Sequence, residues 1–91
     1  MEKVIVVEDK SIIKIGDKLF SREGYVFNEG HTKCDYIEEG WITMTVTKIF
    51  KDYETGVNIK GVIDKERSGN SLKDYDYVTF SEFSRILLYQ N

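Results

Sequence analysis

The side chains best equipped for chemistry in this 91-residue chain fall in one short stretch, where His31 and Cys34 stand three apart and Asp35, Glu38 and Glu39 follow. Imidazole and thiolate make a legitimate zinc pair, but a structural site needs four protein ligands and the chain has no second His or Cys. Read instead as a nucleophile and its base, the pair lacks any accompanying oxyanion-hole motif. The three carboxylates form the densest acidic patch, yet a catalytic acid needs an apolar pocket to raise its pKa, and the flanking residues announce none. Gly16, Gly24, Gly30 and Gly40 are scattered among turns and match neither a phosphate loop nor a dinucleotide fingerprint. No catalytic residue, metal ligand or cofactor is assigned, and the expectation is a protein that is not an enzyme.

The aromatic residues are the better lead. Six Tyr and one Trp are many for so short a chain, and both types combine large contact area with a polar handle, which is why they dominate interface energetics. Tyr25, Tyr36 and Trp41, with the acidic Asp35, Glu38 and Glu39 between them, form the candidate binding site for another protein. A second grouping, Lys65, Arg67, Lys73, Tyr75 and Tyr77, has the mixture of cations and rings that stacks bases. It is interleaved with Asp64, Glu66, Asp74 and Asp76, which repel phosphate, so mixed charge favours a protein surface over nucleic acid.

The elements that must carry these residues read as strands. Between Trp41 and Phe50, Ile42, Met44 and Val46 alternate with Thr43, Thr45 and Thr47, a period of two. Ile49 and Phe50 break the alternation, which implies either a bulge or cover on both faces. Lys51 to Gly56 reads as a turn with Gly56 at positive φ, and Val57, Ile59, Gly61 and Ile63 restore alternation, completing a hairpin. Upstream, Lys3–Val7 and Ser11–Ile15 read as two strands joined by a turn, and Leu19, Phe20 and Tyr25–Phe27 as strand interrupted by turns. Downstream, Asp64 to Asp76 is a long, polar, exposed loop whose length hints at a use. Tyr77–Phe80 is a strand, Ser81–Arg85 a tight turn and Ile86–Tyr89 a closing strand. Thr79 and Glu82 have capping-box spacing, so a short helix over Phe80–Leu88 is the alternative.

Composition agrees with sheet: eight Val, ten Ile and six Thr stand against four Leu, no Ala and no Pro. The net charge of −3 lacks the basic excess that draws proteins to phosphate. A single cysteine rules out an internal disulfide, Met1 to Lys10 lacks the apolar run of a secretory signal, and no stretch is long enough for a membrane-spanning helix, so the cytoplasm is the expected compartment. No linker or repeat divides the chain, and residues 1–91 are expected to form one domain.

Strands of this number and length are best buried by closing the sheet on itself. On that basis the chain resembles the SH3-like small barrels: Ile15-Gly16-Asp17-Lys18-Leu19-Phe20 is similar to their opening strand, and Val78 through Leu88 to their strand, single turn and closing strand. The resemblance covers about three quarters of the chain, leaving Met1 to Ile13 outside it. It implies a mainly β, single-domain barrel of five to six strands with a short 3₁₀ or helical turn near the C-terminus. An oligonucleotide-binding barrel has a similar strand count, and such folds serve nucleic-acid binding, peptide binding and assembly alike. The alanine-free, Ile-, Lys-, Tyr- and Asn-bearing composition also resembles accessory proteins of bacteriophages that infect AT-rich hosts. The expectation is a non-enzymatic protein-binding module, phage-encoded, that inhibits or modulates a host protein; the alternative is a nucleic-acid-binding SH3-like or OB-like barrel. An open sheet edge would also allow a homodimer.

Overall fold

A computed structural model describes residues 3–90 of the chain; Met1, Glu2 and Asn91, the ends of the expected domain, lie outside them. The described residues form eight strands: β1 (Lys3–Val7), β2 (Lys18–Ser21), β3 (Gly24–Phe27), β4 (Cys34–Ile37), β5 (Ile42–Asp52), β6 (Gly56–Ile63), β7 (Tyr77–Ser81) and β8 (Ile86–Gln90). All pair antiparallel in one sheet of order β1-β8-β2-β5-β6-β7-β3-β4. The fold is mainly β, as its β-branched composition requires. It has more strands than the five to six expected, and its ladder ends at β1 and β4 instead of closing.

Period-two side-chain alternation sorts the sheet into two faces. Because paired residues share a face, the registers carry one row through Ile5, Leu88, Leu19, Met44 and Ile63, and all but Ile5 of these are buried. Val7, Val26, Ile42, Val46, Ile59, Val78, Phe80 and Ile86 complete the same core. The opposite row bears the solvent-side residues, among them Val4, Lys18, Lys60, Thr79, Tyr25 and Tyr36. The irregularity at Ile49 and Phe50 is a bulge: the β5–β6 register shifts between Val46 and Lys48, which sets Ile49 opposite Ile59 and Phe50 opposite Asn58, with Ile49 still exposed and Phe50 half-buried. Gly56 has φ +75°, as expected for the turn.

Two expectations fail. Ser11–Ile15 is not a strand. β1 pairs with β8 alone, and Ser11–Ile15 does not join its other edge. Instead Asp9 caps a 3₁₀ turn, Lys10–Ile12, by accepting from the Ser11 N–H at 3.0 Å, and Ile13 drops into the core. Residues 3–13 are therefore part of the fold, supplying an edge strand and a core side chain.

Asp64 to Asp76 is likewise not a freely solvated loop. It contains a 3₁₀ turn at Asn70–Leu72 and buries Ser68, Leu72 and Tyr75. Ser68 Oγ accepts from the Thr43 N–H at 2.9 Å, the Gly69 N–H donates to the Trp41 carbonyl at 3.0 Å, and the Asp76 N–H donates to the Phe27 carbonyl at 3.0 Å. The segment straps the start of β5 to the β3–β4 hairpin, which is why Thr43, on the solvent-side row, is as buried as Ile42 and Met44. Near the C-terminus the Ser84 N–H donates to the Ser81 carbonyl at 3.1 Å, closing a tight turn, and β8 takes the place of the alternative helix; the 3₁₀ segments lie elsewhere. Among the described residues no helix is long and apolar enough to cross a membrane.

Candidate binding site

The β3–β4 hairpin brings together two of the expected site residues. Tyr25 and Tyr36 stand directly opposite each other in register, with ring centroids 4.8 Å apart and planes tilted by 49°. Such a cross-strand aromatic pair adds about 0.2–1 kcal/mol to pairing, yet both rings stay substantially exposed, at 58% and 45%. The hairpin loop is set by Asn28, whose Oδ1 accepts from the Thr32 and Lys33 N–H groups at 2.9 and 3.1 Å, and it carries His31 at φ +55°. Tyr36 Oη donates to Glu23 Oε2 at 3.1 Å. Desolvation first, then that hydrogen bond and the charges of Glu23 and Glu38, raise the Tyr36 pKa.

Beside this pair lies a groove of about 420 Å³. Thr79 and Ser81 of β7 line it together with Tyr25 and Tyr36, and the β5–β6 turn contributes Glu54 and Thr55. The β7–β8 turn contributes Phe83, which is 80% exposed, and Ser84. The turn presents Phe83 by local hydrogen bonding: Ser81 Oγ accepts from the Phe83 N–H and lies 3.3 Å from Ser84 Oγ. Apart from the tyrosines, the ionisable groups in the lining are Glu23 and Glu54, and no Lys or Arg joins them. Three exposed rings beside carboxylates make a surface suited to apolar and cationic groups at once.

The other expected site residues lie apart from the groove. Asp35 faces the core side of β4, opposite Val26, and accepts a hydrogen bond from the Tyr75 hydroxyl. That bond first, then burial and the neighbouring charges of Asp35 and Asp74, pushes the Tyr75 pKa up to about 12. Asp35 is thus an anchor for the 64–76 strap. Glu38 lines a smaller hollow of about 170 Å³ with Phe20, Arg22, Arg85 and Leu87, and the Glu39 carbonyl accepts from Arg22 at 3.3 Å. Trp41, 49% exposed, sits beside Gly69 at the entry to β5.

In the second grouping, Tyr75 is buried, Tyr77 stacks on Phe27 at 5.6 Å with Lys60 above both rings, and Lys65 pairs with Asp76 at 3.1 Å. Arg67 Nε lies 3.8 Å from Asp64, and the Lys73 carbonyl accepts from Lys65. The His31 ring stacks on Phe27 at 4.8 Å, and Cys34 is exposed on β4. Among the described residues no group of three or more His, Cys, Asp or Glu is placed to hold a metal ion. A larger hollow, about 1070 Å³, runs past Lys14, Asp17 and Lys18 to Gln90, the last described residue, and has Tyr89 as its one aromatic residue among the described lining.

Phe83, Glu23 and Glu54 are the groove residues to which the sequence does not point. Phe83 had a signal: a large apolar side chain inside a tight turn between two strands has no core face to serve. No protein-family model, curated protein or solved structure matches this chain.

Proposed function

We propose that this chain is a non-enzymatic protein-binding module that takes an apolar and basic segment of another protein into the groove of Tyr25, Tyr36 and Phe83. The observation that carries the reading is the lining itself: three exposed rings, with Glu23 and Glu54 and no cation. Exposed aromatic residues gathered in one place mark interaction sites where scattered ones do not. The groove walls come from strand pairs and two short turns, so little ordering entropy is lost on binding. Acting on a host protein, such a module inhibits or redirects it by occupying the surface that presents the segment.

We read the open sheet as SH3-like in outline. Strands β8, β2, β5, β6 and β7 lie side by side in that order, with the tight turn between β7 and β8, and this supports the resemblance; β1 and the β3–β4 hairpin are additions to it. The test is capture from lysate of the cells that make the protein, with nuclease present, on immobilised wild type and on the Tyr36→Ala/Phe83→Ala variant. A protein held by the wild type and lost from the variant supports the reading. Equal capture by both refutes the groove, and capture abolished by nuclease favours a nucleic-acid-binding barrel.

A further inference from the structure

Just outside the groove lining, the solvent-side row that holds Tyr36 and Tyr25 runs on through Thr79 and Lys60 to Lys48, each residue directly opposite the next. Its two lysines therefore face each other across β5 and β6, and like charges directly opposite destabilise a sheet. The bulge makes this pair. A ladder continued regularly from Val46 opposite Gly61 would set Thr47 against Lys60, whereas the register shift sets Lys48 there. Bulges re-aim side chains and recur beside functional sites. Among the described residues no carboxylate pairs with either lysine. Asp76, beside Tyr77 in the chain, is already held by Lys65 at 3.1 Å and by the Glu29 N–H at 3.0 Å. Lys60 lies over the Phe27 and Tyr77 rings, 5.0 and 5.3 Å from their centroids, and Lys48 over Phe50 at 5.3 Å. Those contacts account for where each ammonium group rests but not for two of them set face to face.

We infer that Lys48 and Lys60 hold the carboxylate of an acidic residue carried by the same segment whose basic and apolar residues enter the groove, and this rests on the groove reading. Charge complementarity is the reason. The face is acidic at Glu23 and Glu54, aromatic across Tyr25 and Tyr36, and cationic at Lys60 and Lys48. A carboxylate between the two ammonium groups relieves their repulsion as well as pairing with them, a gain that a lone surface lysine does not offer. The spacing sets the order of residues in the segment. Glu23 precedes Phe27, whose ring lies under Lys60, by four residues, and Lys60 stands two strands away from Tyr25. At about 3.3 Å per residue and 4.8 Å per strand, the acidic and cationic ends lie roughly 10–13 Å apart. An extended chain covers that in about three or four residues, so the segment's acid stands three or four positions from its base, with an apolar residue between them over the rings.

Random peptides selected on the immobilised full chain and on its Lys48→Gln/Lys60→Gln variant test this. Peptides held by the wild type should carry a single Asp or Glu three or four residues from their Lys or Arg, and peptides held by the variant should keep the basic and apolar residues without the placed acid. Wild-type peptides that are basic and apolar but show no placed acid overturn the inference and leave the groove reading standing. Peptides without the basic and apolar residues, or no enrichment at all, overturn both. Affinity for one selected peptide should fall at least about threefold from the wild type to the variant. The same peptide with its acid moved next to its base should bind both chains alike, and an equal fall for the two peptides, as a general loss of positive charge would give, overturns the inference. Should the double variant unfold because Lys60 covers two rings, Lys48→Gln alone decides. It should weaken the selected peptide about twofold and the shifted one not at all, and equal binding of the selected peptide by Lys48→Gln and the wild type overturns the inference.

Discussion

Replacing Ser68 by alanine should cost far more than a serine in a polar loop ordinarily does. Its hydroxyl accepts from the Thr43 N–H at 2.9 Å and faces the Thr43 carbonyl at 3.3 Å, with Ser68 7% and Thr43 1% exposed. The carbonyl keeps a second partner, the Asp64 N–H at 2.7 Å, so the substitution orphans only the Thr43 N–H. A buried donor left without an acceptor costs about 1–3 kcal/mol. In a domain of this size each kcal/mol lowers Tm by about 4–8 °C, so a cost near 2 kcal/mol predicts a fall of about 8–16 °C. Urea unfolding followed by circular dichroism and by fluorescence of Trp41, which adjoins Gly69, should show a lower midpoint at unchanged slope. Ser71→Ala, exposed in the same segment, is the control and should stay within about 0.5 kcal/mol of wild type. If Ser68→Ala matches that control, the segment is not the strap described.

Thr43 offers the opposite sign. Its Oγ1 is buried with no partner among the described residues, so Thr43→Val, near in shape, should stabilise the protein by about 1 kcal/mol in the same unfolding assay. Gly61 lies against the neighbouring strand, where an added Cβ would meet the Thr45 carbonyl oxygen and lie 2.5 Å from the Met44 sulfur. Gly61→Ala should therefore cost about 3 kcal/mol, the upper end for overpacking, and show the largest midpoint shift of the set. Tyr75 holds its proton more tightly in the folded chain, with a pKa of about 12 against the ordinary 10. Its contribution is complete below pH 10 and is lost as pH rises from 10 through 12. Unfolding midpoints measured at rising alkaline pH should fall less steeply for Tyr75→Phe than for wild type.

The strands that alternate were legible in the sequence because half-buried sheet imposes a period of two. Ile42, Met44 and Val46, the Gly56 turn and the closing strand after Ser81–Arg85 all stand where that period puts them. What was not legible depended on contacts distant in sequence. Ser11–Ile15 has the apolar character of a strand, but Asp9 caps a 3₁₀ turn there and Ile13 packs into a core built by strands distant in sequence. Ser68 and Tyr75 look like loop residues until Thr43 and Asp35 are seen to need them. Of the expected site, Tyr25 and Tyr36 met because a hairpin of two four-residue strands pairs them, whereas the same alternation puts Asp35 on the other row, opposite Val26. Phe83 and Glu54 reach the groove from two separate turns, and no spacing within one segment reports that.

Selection from a random peptide library against immobilised protein tests the central claim most directly, because it lets the groove report its own preference. Enriched peptides should combine Lys or Arg with apolar residues, and their affinity should fall at least about tenfold on the Tyr36→Ala/Phe83→Ala variant, the loss expected for anchoring aromatic residues. Peptides rich in acid, or peptides that bind the variant as tightly as the wild type, would contradict it.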